Sequence, residues 1–381
     1  MGKKKFGILI LCITAIIFIG RSLYNANLYN SVDFRYLYDL SKLLYEKNDI
    51  FKIFLISQKI NPIWGEWGQT FILDYEIPPP QWGHILYFFL FPYTLLPFKI
   101  SYMVWFITNL IFIYYIIKII KKNYNLSFNQ LLIFSIIIIS STPLTNTLGN
   151  GQFGLLLLLL LLIYWHSNKK FVLGFMSIKI TCSAFFFLYS FLKKEVSFIY
   201  FIIIYLIGII TYCFYLNNFS FYNFTNQLQL LLYVNNLANE NIAYNGVANL
   251  RVVLKAIDIQ QYYNFILFAC AIVTSYFLLK KKDFNNYKLE NFLILNNLNL
   301  LFFYHAIYDF IFLIPLLAYT IKEKLDLKNK FFFYLTIIYF FYFLKINTTI
   351  FKSFFNENVT NFLGFCLLVY TTIILYKKNY E

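Results

Sequence analysis

Long apolar runs separated by brief polar breaks dominate the chain. They fall at 6–23, 82–98, 100–120, 128–143, 151–166, 171–192, 196–216, 260–280, 290–304, 306–322, 331–347 and 359–376. About 20 apolar residues at 1.5 Å each cross the roughly 30 Å hydrocarbon core of a bilayer. The pattern therefore predicts an all-α, polytopic integral membrane protein with ten to twelve transmembrane helices, the shorter ones tilted or re-entrant. Residues 1–381 form one membrane-embedded unit. Two polar stretches exceed ordinary connectors, at 24–80 and 217–259, and both are expected on the same side. In the first, Phe34, Leu37, Leu40, Leu43 and Leu44 recur at helical spacing, with Arg35, Lys42 and Glu46 on other faces. That spacing predicts a short amphipathic helix lying on the membrane surface. Trp64, Trp67 and Trp82 flank the return into apolar sequence, where aromatic rings suit the interface.

Composition agrees. The chain is 60% hydrophobic and 13% charged, with a mean hydropathy of +0.63, whereas soluble domains carry about 25% charged residues. The net charge of +15 does not point to nucleic acid, because the lysines cluster at the ends of apolar runs and form no continuous basic face. They set a direction instead. Lys3–Lys5 hold the N-terminus inside as an uncleaved signal anchor, so the first span delivers the loop 24–80 outside. Lys193-Lys194, Lys280–Lys282, Lys322–Lys330 and Lys377-Lys378 suit cytoplasmic connectors, which puts 217–259 and the corner at Tyr304–Asp309 outside. Lys121-Lys122 and Lys169-Lys170 break the alternation, and a re-entrant segment between 82 and 192 would restore it. The outer loop is locally acidic: seven of the 17 carboxylates lie between Tyr24 and Pro80 (Asp33, Asp39, Glu46, Asp49, Glu66, Asp74, Glu76). Five scattered cysteines without a C-x-x-C pair and three dispersed histidines indicate neither disulfides nor a metal site.

An ionisable group at membrane depth needs a reason, since it costs about 2.5–3.5 kcal/mol at a helix centre. Lys179 sits mid-segment: it either snorkels to the interface or faces a polar cavity and meets a phosphate. His305 and Asp309 share one helical face, with Tyr308 beside them. A carboxylate there can orient an imidazole as a general base, or the pair can simply mark a helix end at the membrane surface. Asn146–Gln152 is a polar turn opening into a Leu-rich helix, whose free N–H groups suit a phosphate or sugar oxygen. Asn245-Gly246 reads as a turn. Arg251 and Lys255 follow it on one face, suited to a lipid phosphate or else paired in solvent with Asp258. His84 and His166 read as structural.

The order of these features resembles the membrane glycosyltransferases of family 87, within the GT-C superfamily. The resemblance rests on Asp33-Phe34-Arg35-Tyr36 after the first span, Pro78-Pro79, Leu95-Leu96-Pro97, Gly151-Gln152, Lys179, Asn245-Gly246 with Arg251, and His305 with Tyr308-Asp309. It implies a metal-independent, cofactor-free, inverting transfer of a hexose, often mannose. The donor would be a polyprenyl-phosphate sugar and the acceptor a glycolipid or polysaccharide, on the non-cytoplasmic face of what is expected to be a bacterial plasma membrane. It implies that Asp33 or His305, the latter supported by Asp309, acts on the acceptor hydroxyl. Lys179, Arg251 and Lys255 would hold the donor phosphate, and Gln152, Asn245 and Tyr308 would bind substrate. A polytopic transporter, whose broken helices and buried ions look similar, and a lipid-linked oligosaccharide ligase or polymerase stand as alternatives.

Overall fold

The computed structural model describes residues 3–28, 32–54, 70–72, 75–77, 80, 82–167, 169–217, 219–220, 223–229, 250, 254, 259–280, 289–303, 307–322 and 357–378. Within them lie α1 (Lys3–Leu28), α2 (Val32–Tyr45), α3 (Ile85–Phe89), α4 (Phe91–Thr94), α5 (Phe98–Tyr124), α6 (Phe128–Ser140), α7 (Thr142–Asn150) and α8 (Gly154–Ser167). There follow two 3-10 stretches (Lys170–Ile178 and Ile180–Cys182), α9 (Ala184–Leu192), α10 (Val196–Tyr215), α11 (Tyr263–Lys280), α12 (Leu289–Phe302), a 3-10 turn (Ile307–Leu313), α13 (Ile314–Lys322) and α14 (Glu357–Lys378). Apart from helices, the described residues hold one antiparallel pair of three-residue strands, Thr70–Ile72 with Tyr75–Ile77, in the first polar loop.

The protein is an all-α, polytopic integral membrane protein. Lys4–Asn27, Phe98–Tyr124 and Val196–Tyr215 are each long and apolar enough to cross a membrane. α6 and α7 make a fourth crossing if taken together, bent by 53° at their junction. Ile13, Ile16 and Ile17 on α1, Ile199, Ile203 and Ile207 on α10, and Phe265, Phe268 and Ile272 on α11 are exposed. Water would penalise such bare apolar faces, and lipid does not. The lengths of the remaining helices do not by themselves give the ten to twelve crossings expected. Gly154–Ser167, Tyr263–Tyr276 and Leu368–Lys377 are apolar but shorter, and the segment 331–347 lies outside the described residues.

Two segments that the apolar pattern treats as spans are not simple crossings. Residues 82–98 form the short helices α3 and α4, because Pro92 sits at the start of α4 and Pro97 precedes α5, so neither helix continues. The Tyr38 hydroxyl donates to Leu96 O at 2.8 Å, and the Ser101 hydroxyl donates to Tyr93 O, which fixes this segment beside α2. Residues 171–192 enter and return: the chain passes through the 3-10 stretches, turns, and comes back as α9. Glu195 closes the base. Its Oε2 accepts from Lys170 Nζ at 2.9 Å, Tyr164 Oη at 3.1 Å and Ser197 Oγ at 2.9 Å. Lys170 and Glu195 thus stand together while Lys179 occupies the apex of the hairpin.

With one segment not crossing and another re-entrant, the lysines fall into register. Lys4 lies over the Phe128 ring at 5.7 Å, and Gln130 Nε2 donates to Ile321 O at 3.1 Å. α5 ends at Lys121-Lys122 just before α6 begins, its last turn closed by Asn125 in the left-handed conformation. One end of the helix layer therefore collects Lys4, Lys121, Lys122, Lys170 and Lys322. The opposite end collects the C-terminal half of α1, the whole of α2, the start of α5 and the end of α7. There the Tyr102 hydroxyl donates to Leu148 O at 2.7 Å and Trp105 Nε1 to Gly151 O at 2.8 Å.

Candidate active site

Asp33 stands in the first turn of α2, where a carboxylate is favoured by the unpaired N–H groups of the helix start. Phe34, Leu37, Tyr38, Leu40 and Leu44 are buried, so α2 is the amphipathic helix its spacing predicts, but its apolar face packs on the bundle and not on the membrane surface expected for it. Phe34 is the anchor: its ring lies 6.0 Å from Tyr102 and from Trp105 and 6.1 Å from Tyr93 and from Phe98. Arg35 donates to Asp39 at 2.8 Å and covers the Phe98 ring at 4.6 Å.

The bend between α6 and α7 brings a second group to Asp33. Ser141 serves both helices: its extended backbone ends α6, and its hydroxyl accepts from Leu144 N at the start of α7. Pro143 in the first turn of α7 lacks the N–H that a continuous helix would need. α7 then ends at Gly151, whose φ of +71° is the left-handed conformation that glycine adopts at little cost. A Cβ there would stand 2.5 Å from the Phe34 Cβ. That turn lets the side chains of Gln152 and Asn150 hydrogen-bond the Asp33 carboxylate.

The third component is the apex of the re-entrant hairpin. Lys179 joins the two 3-10 stretches in an extended conformation (φ −141°, ψ 89°). Its Nζ lies 2.8 Å from both Asp309 oxygens, and the Trp82 ring lies 5.3 Å from it. Asp309 is 2% exposed and the Lys179 side chain 18%. Gly83, beside Trp82, donates its N–H to Ile178 O at 3.0 Å, and a Cβ on it would stand 2.7 Å from Ser177 O. Only the lack of a side chain permits that approach, which sets Trp82 beneath the lysine.

These components form one electrostatic unit. Burial pushes the Asp33 carboxyl up to about 6, opposed by the Gln152 hydrogen bond and the Lys179 charge; the Asp309 charge pushes it further up, and the Asn150 bond opposes. A carboxylate tuned near neutrality suits a general base. Far apart in sequence, Asp33 and Gln152 thus hydrogen-bond, and the Lys179–Asp309 pair lies close enough for its charges to act on Asp33. Asp309 has Lys179 as its partner, and His305, for which it was expected, lies outside the described residues, as do Asn245, Arg251 and Lys255. Tyr308 is in the 3-10 turn directly before Asp309, with only its backbone described.

Asn150 and Trp82 are additions to the residues singled out in the sequence. Asn150 lay inside the recognised polar turn, but only the left-handed glycine after it shows which of its amides face α2. Trp82 was read as an interface aromatic, and its position under Lys179 depends on the packing of Gly83. His84, next in the chain and read as structural, is buried: burial pushes it down to about 4, and it packs 4.8 Å from both the Phe51 and Tyr212 rings. Among the described residues no group of three or more His, Cys, Asp or Glu side chains could hold a metal.

The family profile of glycosyltransferase family 87 matches residues 84–279, just over half of the 381. The matched stretch contains Asn150, Gln152 and Lys179, while Asp33 and Asp309 flank it. No curated protein and no solved structure matches the chain. On that match and this architecture, the chain belongs to glycosyltransferase family 87 and is a membrane glycosyltransferase.

Proposed function

We propose that this enzyme moves a hexose, with mannose the first candidate, from a polyprenyl-phosphate donor to a hydroxyl of a glycolipid or polysaccharide acceptor. The observation that carries the reading is that the Lys179 charge acts on the Asp33 carboxyl at the end of the bundle away from the lysine-rich connectors. By the positive-inside rule those connectors are cytoplasmic and the site faces outward. A polyprenyl chain partitions into lipid, leaving its phosphate near the interface, where a cation must receive it. Asp33, held by the Gln152 and Asn150 amides, takes the proton of the acceptor hydroxyl. The acceptor oxygen then bonds to the anomeric carbon while the carbon–oxygen bond to phosphate breaks. The phosphate leaves with that electron pair, and Lys179 stabilises the charge that grows on it in the transition state. Single displacement inverts the anomeric centre. Arg251 and Lys255 are further candidates for the phosphate, His305 for the acceptor hydroxyl, and Asn245 and Tyr308 for substrate contacts.

Asp33→Asn tests this. The variant keeps the hydrogen-bonding shape but cannot accept the proton, so transfer of labelled mannose from a polyprenyl-phosphate donor should be lost while insertion and yield persist. Transfer near the wild-type rate would sink the assignment. Uptake of substrate into proteoliposomes without any covalent sugar product would favour the transporter instead. Transfer of a preassembled oligosaccharide with no use of a monosaccharide donor would favour the ligase or polymerase.

A further inference from the structure

We infer that Asp309 is a resting counter-ion that competes with the phosphate for Lys179, and that the lysine's return to Asp309 expels the lipid-phosphate product. This deepens the proposed reaction and rests on Lys179 as the phosphate-binding cation.

The geometry carries it in three steps. First, both Asp309 oxygens lie 2.8 Å from Lys179 Nζ. A carboxylate and a phosphate present the same chemistry to an ammonium, two oxygens sharing negative charge, so Asp309 occupies on the lysine the place that a phosphate would take. Second, the two partners differ in freedom. Asp309 is buried at 2% exposure on a short stem in the 3-10 turn Ile307–Leu313, whereas Lys179 is 18% exposed and carries its charge on four methylenes from the hairpin apex. The lysine is the partner that can turn toward a ligand. Third, Asp33 lies close enough for both Lys179 and Asp309 to act on its charge. Among the described residues a lipid phosphate entering this site meets the Asp33 and Asp309 carboxylates beside the Lys179 ammonium, so its hold on Lys179 is opposed from the moment it arrives.

That opposition falls unequally on the two ends of the reaction. The donor is a phosphodiester with one negative charge. The product is a phosphomonoester whose charge approaches −2 near neutral pH, as for phosphorylated side chains. Breaking the sugar–phosphate bond therefore raises the repulsion between the phosphate and Asp309 at the moment when the product must leave. The buried carboxylate, parted from Lys179 while the phosphate is bound, recovers that ion pair on release. Asp309 in this role weakens donor binding somewhat and product binding more, which favours turnover.

The test is the inhibition constant of polyprenyl phosphate, measured as product inhibition and by direct binding in detergent micelles. Wild type, Asp309→Asn and the double variant Lys179→Met/Asp309→Asn are compared. Asp309→Asn should bind polyprenyl phosphate more tightly, on the order of tenfold for removal of one neighbouring like charge. Its donor KM and its kcat should fall together as product release slows. The double variant should lose that gain. If Asp309→Asn binds polyprenyl phosphate no more tightly than wild type while the double variant binds it more weakly, the counter-ion role is overturned and Lys179 remains the phosphate ligand. If the double variant binds as tightly as Asp309→Asn, Lys179 is not the phosphate ligand and the underlying reading fails. Should Asp309→Asn not fold, Asp309→Ser, which removes the same charge and leaves room for water, is judged by the same criteria.

Discussion

The pH dependence of Gln152→Leu isolates the proposed part played by Asp33. Gln152 is buried and its amide bonds the Asp33 carboxylate, whose pKa stands at about 6 through burial. The base works only as the carboxylate, so wild-type kcat/KM for the acceptor, at saturating donor, should rise with pH through about 6 and level off above 7. Leucine fills a similar volume but donates no hydrogen bond. A hydrogen bond to a charged group contributes about 1.5–3 kcal/mol and one pKa unit corresponds to 1.36 kcal/mol. Since Asn150 remains as a second donor, the lower end applies, and the midpoint should rise by about one unit. At pH 6 the carboxylate fraction then falls from about one half to about one tenth, a fivefold loss; at pH 7 the loss is about twofold, and above pH 8 it vanishes. The assay is initial-rate transfer across pH 5–9. An equal loss at every pH would mean that Gln152 acts by some route other than Asp33, and a downward shift of the midpoint would refute the hydrogen-bond argument.

Gly151→Ala forces a side chain onto a φ of +71° and into Phe34; the backbone term alone is about 1–2 kcal/mol. The thermal unfolding midpoint in detergent should drop, and an unchanged midpoint would remove the glycine from the argument. Lys179→Met removes the ammonium at 2.8 Å from the buried Asp309, and breaking a buried pair costs about 3–5 kcal/mol. The double variant with Asp309→Asn should recover much of that stability, and failure to recover would mean that the pair is not the main partner of either group. Glu195→Gln weakens the charge-assisted bonds from Lys170, Tyr164 and Ser197 that close the base of the hairpin. It should lower the unfolding midpoint and speed thiol labelling of the buried Cys182 near the apex; labelling at the wild-type rate would count against that closure.

Much of the fold was legible in the chain because lipid imposes a strong and local rule. A run of apolar residues long enough to cross must satisfy its backbone within itself, and α1, α5 and α10 follow directly from that. The amphipathic α2 was equally legible, since five apolar positions at helical spacing leave it only one face to bury. Lys179 and Asp309 stood out because ionisable groups at membrane depth demand an explanation, Gln152 because it closes a polar turn at a helix start, and Asp33 through the family resemblance. What apolarity could not distinguish was a crossing from a return. Residues 82–98 and 171–192 are as greasy as true spans, and their paths are set by prolines, by the Glu195 cluster and by close backbone approaches at Gly83 and Gly151. The lysine on Asp309 was equally out of reach: four-residue spacing pointed to His305, which lies outside the described residues, and no spacing announces a lysine 130 positions away. The sequence alone determined which side chains are out of place in lipid. Only the tertiary structure decided which of them meet, because a pairing across a bundle depends on where broken helices turn, and no periodicity along the chain records that.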